Sequence, residues 1–97
     1  MQSIKRIEII TDAIEMREVR RVLARHGIAG YTIIRDVEGQ GVRGAQTGDD
    51  LTDVFKNSYL LTTCEPAQLD ALVAAIRPIL KTRGGICLVS DAQWVIH

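Results

Sequence analysis

The chain has 97 residues, a length that builds one domain around a single modest core. A hydrophobic fraction of 46% excludes a disordered chain. Twelve basic residues cancel twelve acidic ones, which removes the cationic excess that sequence-independent nucleic-acid binding requires but still permits a locally basic pocket for a small anion.

Residues 4–11, IKRIEIIT, alternate and are rich in isoleucine, so they read as a first strand. Asp12 followed by Glu15 resembles a capping box and opens a helix. Its apolar residues recur at Ala13, Met16, Val19, Val22 and Leu23, and Gly27 ends it. Residues 30–37, GYTIIRDV, read as a second strand. A polar stretch over 37–53, VEGQGVRGAQTGDDLTD, then carries four glycines, three aspartates and almost nothing for a core. A loop of that length in so small a domain is usually functional. Residues 57–64, NSYLLTTC, read as a third strand. Pro66 fits the first turn of a second helix, striped by Leu69, Leu72, Val73, Ile76 and Leu80. Pro78 falls inside that stripe and predicts a kink, or an end near Arg77. Gly84 and Gly85 mark the turn out, residues 86–91 read as a fourth strand, and QWVIH as a short extension.

The order predicts an α+β fold, a ferredoxin-like βαββαβ sandwich with both helices on one face of an antiparallel sheet, in one domain over 1–97. The uncovered face of such a sheet is normally polar. Here both faces are apolar: Ile7 and Ile9 against Ile4 and Ile10, Tyr31 and Ile33 against Ile34, Cys87 and Val89 against Ile86 and Leu88. That pattern predicts that other subunits bury the second face.

Nothing in the residues supports an enzyme. His26 ends the first helix, where it suits the dipole, and His97 lies in the tail. No HxxxH, CxxC or serine-centred glycine elbow occurs. Glu15 and Glu18 read as solvated helix positions paired with Arg17 to Arg21. Asp49, Asp50 and Asp53 lack the ligand density of a calcium loop. Cys64 and Cys87 read as small buried hydrophobes in a reducing compartment. The opening MQSIKRIEIITD is too charged for a signal peptide, and no stretch approaches the ~20 apolar residues of a membrane span, which predicts a cytoplasmic protein.

Anion binding has more support. Residues 38–44, EGQGVRG, place closely spaced glycines beside Arg43; glycine lets backbone N–H groups approach an anion, and arginine can fork onto phosphate. Residues 81–85, KTRGG, hold the same ingredients and also read as a helix C-cap with basic residues complementing the dipole.

The stretch GIAGYTIIRDVEGQGVRG, residues 27–44, resembles the Gly-Ile-x-Gly-apolar-Thr strand and following Gly-x-Gly of the PII signalling proteins. GGICLVSDAQWVI, residues 84–96, is similar to their fourth strand and tail. The long loop falls where PII proteins carry their T-loop, about 37–56 here. The resemblance implies a homotrimer whose sheets pack their bare faces together, with an adenine-nucleotide site in each cleft between subunits. Ligand binding there reshapes the T-loop, which docks on a protein target, often a membrane transporter, and the protein sits peripherally at the membrane through it.

Carried over by position, Gly30 and Thr32 border the nucleotide, while Gly39, Gly41 and Arg43 approach its phosphates. Thr62 and Thr63 meet the adenine edge, Arg83, Gly84 and Gly85 complete the phosphate side, and Ile10 packs nearby. The chain departs from the nitrogen-signalling members. Its loop is shorter and lacks their modified tyrosine, Ile86 replaces a lysine after the second helix, and an arginine pair in the tail is reduced to His97. Fewer cations favour ADP or AMP over ATP with magnesium and leave the 2-oxoglutarate response without its basis. The short loop and the GYT start look more like the PII-like branch linked to inorganic-carbon transport and carboxysomes. That branch implies bicarbonate as a second ligand at Gly41, Val42 and Arg43, with no metal and no required cofactor. Three alternatives stand beside it. One is a metal-tolerance PII-like trimer, disfavoured by sparse His and Cys. The others are a nitrogen-signalling PII variant and an acylphosphatase-type hydrolase built on Arg43 and Asn57.

Overall fold

A computed structural model of the chain describes residues 1–40 and 54–97, with side chains at 40 and 54–56 outside the description. The elements run β1 (Gln2–Thr11), α1 (Ala13–Arg25), β2 (Tyr31–Gln40), β3 (Val54–Cys64), a 3₁₀ turn (Pro66–Gln68), α2 (Leu69–Arg83) and β4 (Ile86–Trp94). The four strands form one antiparallel sheet in the order β2-β3-β1-β4, with α1 and α2 packed together over it. This is the expected ferredoxin-like βαββαβ architecture.

Local chemistry sets the boundaries. Asp12 caps α1: its Oδ1 accepts the Glu15 N–H at 2.8 Å. The helix closes in a Schellman motif. Gly27, at φ +76°, donates its N–H to Ala24 O, and Ile28 donates to Leu23 O at 2.9 Å, with both side chains of that second pair in the core. The core lies between the helices and one sheet face. Ile7, Ile9, Leu60, Val19, Leu23 and Leu72 are each 0% exposed, and full burial of such side chains stabilises by about 1.5–3 kcal/mol apiece.

Three expectations are corrected. Pro78 does not end α2 near Arg77: the helix continues to Arg83. Proline removes one N–H and crowds the carbonyl four residues back; here both Ala74 and Pro78 are exposed, so water can serve the orphaned carbonyl. Glu15 is not solvated: it is buried, 7% exposed, in the first turn of α1, whereas Glu18 pairs with Arg21 as expected. The strands also run further than their apolar patterns. β1 gains Gln2 and Ser3, β4 reaches Trp94, and β2 and β3 pair into the stretch read as loop, with Val37 opposite Asn57 and Gln40 opposite Val54. That extension follows a bulge between Ile34 and Val37, where Asp36 takes φ +57°. A bulge of this kind bends its strand and raises the local twist.

The face away from the helices is open. Ile34, Ile86, Leu88 and Trp94 on it are 53%, 50%, 57% and 49% exposed. Its middle holds a polar island: Arg6 Nε donates to Ser90 Oγ at 3.0 Å and Tyr59 OH donates to Glu8 Oε2 at 2.7 Å.

Candidate functional site

The structure sorts the anticipated site residues into two groups. The first lies where β2 begins beside the end of β3. Gly30, Thr32, Thr62 and Thr63 line a hollow of about 510 Å³, together with Leu61, Glu65 and Trp94. β-Pairing makes this neighbourhood, since Tyr31 stands opposite Thr62 and Thr32 opposite Leu61. Side chains alternate along β3, so Thr62 turns to the helix side and is buried, and Thr63 turns to the open face. The Thr62 hydroxyl donates to Gly30 O at 2.6 Å, tying the start of β2 to β3. A Cβ added at Gly30 would meet nothing within 4 Å, so packing within the chain does not require glycine there.

The second group gathers where α2 ends beside the end of β1. Gly84 caps α2, its N–H donating to Leu80 O at 2.8 Å, and its own carbonyl accepts from Thr11 Oγ1 at 3.0 Å. Gly85, at φ +148°, passes so close to β1 that an added Cβ would stand 2.9 Å from Ile10 O and 2.9 Å from Leu80 Cδ2. Ile10 pairs with Ile86 directly beyond. Arg83 sets its Nε 3.0 Å from Asp12 Oδ2. Ile10, Arg83, Gly84 and Gly85 therefore do come together, on a backbone clasp.

One chain does not bring the two groups together. Thr32 lies on one edge strand of the sheet and Gly85 leads into the other, three strand spacings apart, or about 14 Å. Gly39 stands on the extended hairpin opposite Phe55, and a Cβ added there would meet nothing within 4 Å among the described residues. Gly41, Val42 and Arg43 lie outside the described residues, as do Asp49, Asp50 and Asp53.

Sequence reasoning overlooked Trp94, Glu65 and Asp12. Trp94 carried a signal, being the only tryptophan of the chain and just past an apolar strand. In the sequence Asp12 reads as a helix cap alone, and nothing local announces its second partner 71 positions on. Burial pushes the Cys64 and Cys87 thiols up from their ordinary value, with the neighbouring Glu65 adding to it at Cys64. Both are thiols, and their strands lie on opposite sides of β1 rather than adjacent. Among the described residues no group of His, Cys, Asp or Glu could hold a metal ion, and no helix is long and apolar enough to cross a membrane.

A βαββαβ chain whose β2 and β3 pair beyond the rest of the sheet, with one open and largely apolar face, has a ferredoxin-like fold of the PII type. The chain belongs to the family Nitrogen regulatory protein P-II, which matches it over residues 4–96. No curated protein matches the sequence. Among solved structures the chain is similar to CPII, a nitrogen regulatory PII-like protein from Thiomonas intermedia K12, bound to ADP, AMP and bicarbonate. The TM-score is 0.82 at 21% identity, covering 98% of this chain and 96% of that one. CPII from the same organism bound to ADP and bicarbonate gives 0.78 at 24% identity, covering 95% and 88%. Its apo form gives 0.76 at 21%, covering 95% and 91%. At these identities the likeness shows the fold.

Proposed function

We propose that this protein is a non-enzymatic, trimeric regulator of the PII-like class that binds adenine nucleotide in the clefts between its copies. ADP or AMP is favoured over ATP, with bicarbonate as a second ligand. The observation that carries this reading is the division of the candidate residues: Gly30, Thr32, Thr62 and Thr63 lie on the β2–β3 side of the sheet, and Ile10, Arg83, Gly84 and Gly85 on the β1–β4 side. Copies that pack their open faces together in a trimer present the two groups to each other across the cleft between neighbours, which a single chain does not do. The space at Gly30, which the described residues leave unused, supports a ligand approaching the backbone there. The ADP, AMP and bicarbonate held by CPII support the choice of ligands.

In this reading the nucleotide phosphates and the second anion engage Arg43, Gly41 and Val42, and ligation resets the T-loop over 37–56. The reset loop presents a different surface to a protein target, an inorganic-carbon transporter, from the cytoplasmic side. The test is isothermal titration of ATP, ADP and AMP, each with and without bicarbonate, on wild type and Arg43→Ala. ADP or AMP binding that tightens with bicarbonate and weakens in the variant is expected. Failure of all three nucleotides to bind would remove this function, and unchanged affinity in the variant would remove Arg43 from the site.

A further inference from the structure

Asp12 has two employments. Its Oδ1 caps α1 by accepting from Glu15 N at 2.8 Å, and its Oδ2 holds Arg83 Nε at 3.0 Å. The pair bridges two chain reversals, the β1–α1 junction and the α2–β4 junction, which the Thr11–Gly84 hydrogen bond also joins. Arg83 is half exposed and Asp12 about a third, so the guanidinium faces solvent with a carboxylate already seated on it.

We propose that Asp12 is a resident counter-anion that sets how much negative charge the phosphate side of the nucleotide site accepts. The proposal rests on the reading of Arg83 as a phosphate contact. A phosphate reaching that guanidinium must either displace the carboxylate or settle beside it. Displacement breaks a charge-assisted contact, and settling beside it places like charges a few ångströms apart. The displacement cost is the same for every ligand, but the repulsion rises with ligand charge, so a nucleotide settling beside Asp12 is disfavoured more as ATP than as ADP, and more as ADP than as AMP. A carboxylate held by the helix cap cannot swing away without uncapping α1, so the penalty is built into the fold.

Asp12→Asn separates the two employments, because asparagine caps a helix as well as aspartate does while carrying no charge. Asp12→Ser, also a good cap, serves as a second variant should the first fold poorly. Titrating adenosine, AMP, ADP and ATP into wild type and each variant should show affinity unchanged for adenosine, raised about threefold for AMP and about tenfold for ATP. Variants that bind every nucleotide as wild type does, or more weakly, would overturn the proposal while leaving the nucleotide site standing. A gain as large for adenosine as for ATP would also overturn it, since charge would then not be the cause. If neither wild type nor variants bind any nucleotide, the site reading falls and this inference with it.

Discussion

Gly85 and Gly30 look alike in the sequence and differ in what they do. At Gly85 a methyl group would meet backbone and side chain at 2.9 Å, and φ is +148°. Gly85→Ala is expected to destabilise the fold by about 1–3 kcal/mol, read as a lower urea midpoint. Gly30→Ala meets no atom within 4 Å and should stay within about 0.5 kcal/mol of wild type in the same experiment. Its cost should appear in nucleotide affinity instead. Tyr59 carries a pH prediction. Its phenol is held above the ordinary value of 10.0, first because it donates to Glu8, then by burial and by the Glu8 charge. A native pKa raised above the unfolded one means that the folded state keeps its proton longer. The stabilisation is therefore complete below about pH 10 and is lost as pH rises through the native pKa. Cys64 and Cys87, raised from 9.0, act in the same direction. Urea unfolding at pH 9 and pH 11 should show wild type losing stability over that interval and Tyr59→Phe losing less. An identical loss in the two proteins would place the alkaline sensitivity elsewhere.

At the scale of elements, the order of strands and helices was legible because each is periodic and punctuated. Asp12 and Gly27 bound α1 in the sequence and in the structure by the same hydrogen bonds that make them good caps. The ends of β2 and β3 were illegible for a physical reason. Glu38, Gly39 and Lys56 are polar or flexible residues that pair only because the hairpin twists past the sheet, and no hydrophobic alternation marks such pairing. Pro78 misled for a related reason: propensity describes a helix alone, whereas α2 is fastened to the core by Leu72 and Ile76 on the face opposite the proline. The penalty should still be measurable. Pro78→Ala restores an N–H to an exposed helix position and is expected to raise stability by about 1–2 kcal/mol, after allowance for the freer unfolded chain. Thermal denaturation checks it. An unchanged or lower melting temperature would mean that the ring packs usefully where it lies. The candidate residues were legible one by one, but not their separation into two groups, since strand order alone separates Thr32 from Gly85.

For the whole molecule the decisive feature is the open sheet face. Exposed apolar residues are ordinary one at a time, but Ile34, Ile86, Leu88 and Trp94 share a single face with Ile10 and Leu61 beside them. A face that wide is expected to serve as a surface for association. The polar island of Arg6, Glu8, Tyr59 and Ser90 at its centre is cross-linked by its own hydrogen bonds, which lowers the cost of covering it. Leu88 is the place to test this. It stands opposite Glu8 on β1 and is 57% exposed in the single chain. Leu88→Lys should leave the isolated fold intact, because a lysine facing a glutamate across antiparallel strands is a favourable pair. In a closed trimer the same change removes three apolar contacts and forces three ammonium groups out of water beside one another, at a cost of several kcal/mol in all. Light scattering on wild type should return three times the 10.7 kDa of one chain, and on Leu88→Lys a mass near one chain with unchanged circular dichroism. A wild type that is monomeric would remove the trimer. A variant that stays trimeric would move the interface off this face, and the two groups of candidate residues would then have to be joined by some other contact between copies.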